Sequence, residues 1–278
     1  MPEMPEVQAH AERLTEDFAG AVLDRFRPLA FTALKTFAPA PEAAAGHPLL
    51  DVGRRGKHLL LRFEPVTFVV HLMQGGRLKP DEKQAAKPRG GQARWTFADG
   101  RALLLTEAGT ERKAGVWVVE GDPLGQEPLD HLGPEADTLD RAELGRLLAD
   151  NPMRLHGWLR DQHIVAGLGR RLANEICHRA KLSPFASTGK LDDDAVDRLH
   201  AAMGECIAES LAYERTRSDM SSSKDRPGAV HHRQGEACTV CGDTVRAVEY
   251  RSYTVNYCPT CQTGGKVLAD NTTSKFLK

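Results

Sequence analysis

Cys238-x2-Cys241, a gap of sixteen residues, and Cys258-x2-Cys261 constrain this chain more than any other stretch. Two thiol pairs at this spacing suit a tetrahedral zinc ion, and four thiolates leave no open position for a reacting water. Arg246–Asn256 between the pairs alternates like a β-hairpin, so the segment reads as a zinc ribbon holding one structural Zn2+. The competing reading, two disulfides, belongs to a secreted fragment. The first residues, Met1-Pro2-Glu3-Met4-Pro5-Glu6-Val7-Gln8, lack the basic cluster and apolar run of an export signal. Cys177 and Cys206 stand alone, as small buried thiols do in a reducing compartment. A cytoplasmic protein is expected, with no membrane span, because no apolar run approaches the ~20 residues a bilayer requires.

The 278 residues fit two domains and an appendage. The net charge of −1 gives no nucleic-acid signal for the whole chain, so any basic surface is local. One such region runs from Arg154 to Lys181, where Arg154, Arg160, Arg170, Arg171, Arg179 and Lys181 face only Asp161 and Glu175. Val7, Ala11, Leu14 and Phe18 predict an amphipathic helix over residues 6–18. Short apolar runs at Ala21–Arg27, His58–Phe63, Thr67–Leu72, Arg94–Phe97, Ala102–Thr106 and Gly115–Val119 predict an antiparallel sandwich or barrel. Basic turns are expected at Arg54-Arg55-Gly56-Lys57 and at Gly75-Gly76-Arg77. Residues 124–134 are rich in Pro and Gly and read as a linker. Helices are then expected over Arg141–Leu148, Arg154–Arg160, Arg171–Arg179 and Asp192–Tyr213, the last capped by Asp192 or Asp193.

Three places carry candidate chemistry. Removal of Met1 gives Pro2 a secondary amine whose pKa, near ~8, leaves a useful unprotonated fraction at neutral pH. Such an amine attacks a carbonyl-level carbon to form an iminium, and Glu3 beside it can move protons. A frayed, Pro-rich leader is the plain alternative. Lys57 is either a phosphate ligand or a solvated turn lysine. The turn through Gly167 and Gly169, with Arg170 opening the next helix, is either a phosphate-binding helix start or an ordinary αα-hairpin.

Taken in order, these parts resemble the formamidopyrimidine-DNA glycosylase / endonuclease VIII family of base-excision repair enzymes. The resemblance spans essentially the whole chain and rests on several segments. They are the Pro2-Glu3 terminus, Arg54–Lys57 with its following strand, His71–Leu78, Leu132-Gly133-Pro134-Glu135, Asp161–Arg179 and the ribbon. It implies an α+β fold: an N-terminal helix plus antiparallel β-sandwich domain (1–123), a linker (124–139) and a helix–two-turn–helix domain (140–217). A flexible loop (218–235), the four-cysteine zinc ribbon (236–263) and a tail (264–278) follow. It implies that Pro2 attacks C1′ of a damaged nucleotide, that Glu3 assists ring opening and proton transfer, that Glu6 supports the site and that Lys57 binds a phosphate. It assigns DNA contacts to His71, Gln74, Arg112, Gly167, Gly169, Arg170 and Arg251. The partner is double-stranded DNA with damaged bases or abasic sites, bound by a monomer on the nucleoid.

The chain departs from the family pattern at the contacts rather than at the chemistry. Gln74 stands where the family often has a wedge-forming Met, and Ala114 replaces a Phe. Arg170 replaces an Asn, and Tyr253 replaces an Arg, with Arg251 close by. The loop over Ser221–Val230 is short and poorly matched to the one that covers 8-oxoguanine. Oxidised pyrimidines or bare abasic sites are therefore the expected lesions. The alternatives are a lyase acting only on abasic sites and a DNA-binding relative without catalysis.

Overall fold

The computed structural model describes residues 1–109, 112–220, 225–250 and 253–268. Thr110, Glu111, Ser221–Lys224, Arg251, Ser252 and the tail beyond residue 268 lie outside the described residues. The chain divides into two compact units, Met1–Leu132 and Gly133–Lys278, and the boundary falls inside the Pro/Gly-rich stretch.

The first unit opens with helix α1 (Met4–Phe18), two residues earlier than its apolar spacing predicts. Glu3 is the N-cap, and a reciprocal capping box with Glu6 starts the helix ahead of the apolar stripe. Among the described residues eight strands follow, in two antiparallel sheets. β1 (Leu23–Pro28), β6 (Gly91–Phe97), β7 (Ala102–Glu107) and β5 (Gly76–Pro80) form one, in that order. β2 (Asp51–Arg55), β3 (His58–Arg62), β4 (Val66–His71) and β8 (Gly115–Glu120) form the other. Phe26 of β1 and Trp95 of β6 meet Phe68 of β4, with centroids 5.0–5.8 Å apart, so the aromatic core lies between the sheets.

Two strands fall where the sequence predicts basic turns. β2 contains Arg54 and Arg55, and β5 contains Gly76 and Arg77. Their strand state comes from partners: Val52 pairs with Leu61, and Leu78 with Leu105.

The second unit packs α2 (Arg141–Asp150), α3 (Leu155–Trp158), α4 (Arg170–Arg179) and α5 (Asp193–Arg215) around Leu144, Leu148, Trp158, Leu172, Ile176, Leu199 and Met203, all buried. Asp192 caps α5 by accepting from the Ala195 amide. The ribbon is the hairpin β9 (Arg246–Glu249) and β10 (Thr254–Tyr257), followed by the short helix α6 (Pro259–Thr263). Cys177 and Cys206 are buried, and burial pushes both thiols up.

Candidate active site and metal centre

In the first unit α1 is tied to both sheets. Thr15 bonds the backbone of Val52 in β2 through N–H and C=O, and His10 Nε2–H donates to Leu78 O in β5 at 2.7 Å. These bonds hold the start of the chain, where Pro2, Glu3 and Glu6 are all buried while Met1 is 44% exposed. The Glu3 amide donates to Glu6 Oε2 at 3.0 Å, so Glu6 fixes the backbone of Glu3. In the basic segment, Arg54 Nε–H donates to Gln8 Oε1 and Arg55 to Leu132 O. Lys57 follows Gly56, whose φ of 55° makes the tight turn into β3, and is 92% buried.

His71 ends β4 opposite His58, ring centroids 4.5 Å apart. Burial, then Lys57 and the N-terminal amine, push His71 down to about 4. The positive charges of Lys57 and of the Met1 amine thus act on His71, which is neutral at pH 7. Its Nδ1 touches Met73 Sδ at 2.7 Å. The following turn leaves Gln74 exposed, and Arg112 is exposed as well. Burial and then His71 push His58 down to about 3, with smaller contributions from His131 and Lys57 opposed by a hydrogen bond to the Arg55 backbone.

In the second unit Gln162 organises the glycine turn. Its amide donates to Arg160 O and Leu168 O, and its Oε1 accepts from Gly167 N at 3.0 Å. Gly167 has φ 99° and Gly169 is the N-cap of α4, so Arg170 is the first helical residue. The Gly133-Pro134-Glu135 segment braces this turn. Gly133 N donates to Gln162 O, Ala166 N donates to Pro134 O, and a Cβ at Gly133 would lie 2.5 Å from the Ile164 backbone. Arg160 lies over the Tyr253 ring at 4.1 Å, and Tyr250 stacks on Tyr253 at 4.6 Å. Arg251, the expected ribbon contact, lies outside the described residues.

The four ribbon cysteines converge. Cys238 and Cys261 sulfurs are 3.9 Å apart and those of Cys241 and Cys258 3.4 Å, close to the roughly 3.8 Å that ~2.3 Å Zn–S bonds at tetrahedral angles demand. Burial raises the Cys238 thiol, but the amides of Val240 and Cys241 and the His178 imidazole outweigh it and bring it down to about 6. Burial and the neighbouring thiols push Cys258 and Cys261 the other way, up. The fit to a structural metal rests on four soft sulfur donors at these separations. His178, which the cysteine pattern gives no hint of, also reaches the site. Its imidazole and the sulfurs of Cys238, Cys258 and Cys261 all lie within 4.8 Å of one another. The only sequence signal for His178 is its place on a polar stripe of α4, with Arg171, Asn174 and Glu175 at helical spacing.

Among the described residues no helix is long and apolar enough to cross a membrane. Residues 1–116 match the model of the formamidopyrimidine-DNA glycosylase N-terminal domain. An uncharacterized formamidopyrimidine-DNA glycosylase-like protein of Mycobacterium tuberculosis is 42% identical over 53% of this chain and 94% of its own. The formamidopyrimidine-DNA glycosylase of Methylococcus capsulatus is 30% identical over 94% of this chain and all of its own. Among solved structures, the Lactococcus lactis formamidopyrimidine-DNA glycosylase bound to abasic-site DNA superposes with a TM-score of 0.82 at 20% identity, over 94% of this chain and 99% of that one. The same enzyme in complex with DNA containing an oxidised pyrimidine gives 0.83 at 20% identity, over 94% of this chain and all of that one. With its full-length relatives and its two-sheet, helical and four-cysteine architecture, the chain belongs to the formamidopyrimidine-DNA glycosylase family of DNA-repair enzymes.

Proposed function

We propose that this protein excises oxidised bases from double-stranded DNA and nicks the strand, with Pro2 as nucleophile and Glu3 as proton carrier. The carrying observation is the N-terminal cluster: Pro2 and Glu3 buried at the start of α1, Glu6 fixing the backbone of Glu3, and Lys57 charged near His71. With Met1 removed, the Pro2 nitrogen attacks C1′, the base departs with the C1′–N electron pair, and the amine loses its proton. Glu3 then protonates the ring oxygen as the C1′–O4′ bond breaks and the nitrogen lone pair forms the iminium. The resulting iminium acidifies the C2′ proton. Its removal expels the 3′ phosphate (β-elimination), and a second elimination expels the 5′ phosphate (δ). In this reading Lys57 and the amides around Gly167, Gly169 and Arg170 hold phosphates, and His71, Gln74, Arg112 and Arg251 make further DNA contacts. The ribbon binds one Zn2+, a structural ion that takes no part in these steps.

Oxidised pyrimidines or abasic sites are the favoured lesions. This reading is supported by the short loop after α5, of which residues 226–231 are bonded to α4 through Arg171 and Glu175. Those residues are held to α4 and are not available to fold over a flipped purine. The test is borohydride trapping of Met1-processed protein on duplexes carrying an abasic site, thymine glycol, dihydrouracil or 8-oxoguanine. Trapping on the pyrimidine lesions is expected, and Glu3→Gln should abolish base excision while sparing binding. Trapping on the abasic duplex alone reduces the protein to a lyase. No trapping on any duplex leaves a non-catalytic DNA binder.

A further inference from the structure

Helix α4 presents four polar side chains on one face, at positions i, i+3, i+4 and i+7, and each bonds the segment that follows α5 or the ribbon itself. Arg171 donates to Arg226 O and Pro227 O, both at 2.6 Å. Asn174 donates to His231 Nδ1 at 2.8 Å, and its Oδ1 accepts from the Asn256 amide at 3.3 Å. Glu175 accepts from the amides of Ala229, Val230 and His231. The last member, His178, is 96% buried and directs Nε2 at Cys238 Sγ, 3.3 Å away. A hydrogen bond from an imidazole to a sulfur is unremarkable in an ordinary core. Here the sulfur belongs to a metal-ligand set.

We propose that His178 is part of the metal centre as a positioning residue: its Nε2–H donates to the Cys238 thiolate and couples the ribbon metal to α4. Four thiolates around a divalent cation carry a net charge of −2. At the buried sulfurs of the site, Cys238 and Cys258, that charge is balanced by N–H groups aimed at sulfur. The Val240 amide, 3.4 Å from Cys238 Sγ, is one such donor, and His178 is a second, supplied from a different element. The donor role is favoured over ligation because the two Cys-x2-Cys pairs supply four sulfurs, Cys241 Sγ lying 3.4 Å from Cys258 Sγ although outside the group of four that includes His178. The coupling also gives the metal a structural reach. The same helix begins at Arg170, beside the glycine turn, so metal occupancy bears on the helix that displays that turn. The inference rests on the four thiols being a metal site and is independent of the Pro2 chemistry.

The test uses the full chain loaded with Co2+ for spectroscopy and with Zn2+ for release to a chromogenic chelator, comparing the wild type, His178→Phe, His178→Gln and Cys241→Ser. Phe fills the imidazole volume without a donor, and Gln restores an N–H. Expected are one metal per chain in the wild type and both His178 variants, and an unchanged four-thiolate ligand-field spectrum. The sulfur-to-cobalt charge-transfer band should move to lower energy in His178→Phe, with metal affinity lower by roughly 10–100-fold and partial recovery in His178→Gln. Identical charge-transfer bands and release in the wild type and His178→Phe overturn the proposal. So does a cobalt spectrum with a nitrogen ligand that is lost in His178→Phe and kept in Cys241→Ser, which makes the imidazole a ligand in place of Cys241. A wild type that binds no metal overturns the metal site itself, and the stoichiometry distinguishes that result from the others.

Discussion

His58→Phe should make the first unit less sensitive to acid. His58 is 92% buried, and burial and the facing His71 push it down to about 3 from the usual 6.5. The sign follows from linkage. The folded pKa is depressed, so the unfolded chain binds the proton first, and stability is present above pH 6.5 and lost as pH falls toward 3. At pH 5 nearly every unfolded His58 carries a proton and almost no folded one does, which costs about 2 kcal/mol relative to pH 8. His71, pushed down to about 4, adds a similar sensitivity that the variant leaves in place. Phe preserves the ring packing against His71 and Trp117, 4.5 and 6.4 Å away. The assay is urea unfolding of the metal-loaded wild type and His58→Phe at pH 8 and pH 5. Taking the difference of differences cancels the acid sensitivity of the second unit. The loss between pH 8 and pH 5 should be about 2 kcal/mol smaller in the variant. An equal loss in both proteins refutes the argument and means that His58 takes up its proton in the folded state.

Three further perturbations address the scaffold. Gly76→Ala places a Cβ 2.1 Å from Leu72 O, a backbone atom that cannot rotate away, and should cost about 3 kcal/mol while displacing the turn that exposes Gln74; a melting temperature equal to the wild type refutes this. Glu175→Ala removes one acceptor shared by the three amides of residues 229–231 and should cost about 2–3 kcal/mol, with faster amide exchange in that segment but not in α2. Equal exchange rates there mean that other bonds hold the segment. Metal removal by a chelator should melt residues 236–263 and lower DNA affinity, because a structural site of this kind supplies folding free energy. Unchanged affinity after verified metal loss takes the ribbon out of the binding surface.

Much of the architecture is legible in local sequence. β3, β4, β7 and β8 lie in apolar runs bounded by turn residues, and α5 begins one residue after its Asp192 cap. β2 and β5 are not legible, because Asp-Val-Gly-Arg-Arg and Gly-Arg-Leu-Lys-Pro have the composition of turns. They become strands by completing ladders against β3 and β7, and a ladder partner leaves no mark on the composition of the strand it recruits. In the N-terminal cluster, Pro2, Glu3 and Lys57 stand out as residue types. That His71 is neutral is a matter of its burial and of the charge of Lys57 near it.

The sequence alone determined the covalent chemistry on offer and its order along the chain. These are an imino acid beside a carboxylate at the start, a glycine turn before an arginine, and four thiols in two close pairs. Each acts over a few residues, so its meaning survives without the fold. The tertiary structure decided which distant groups share an environment. His178 meets Cys238 across 60 positions, Glu175 gathers amides 54 to 56 positions away, and Asn174 reaches Asn256 across 82. Desolvation and hydrogen bonding depend on what surrounds a group in space, and the linear spacing of the chain carries no record of it.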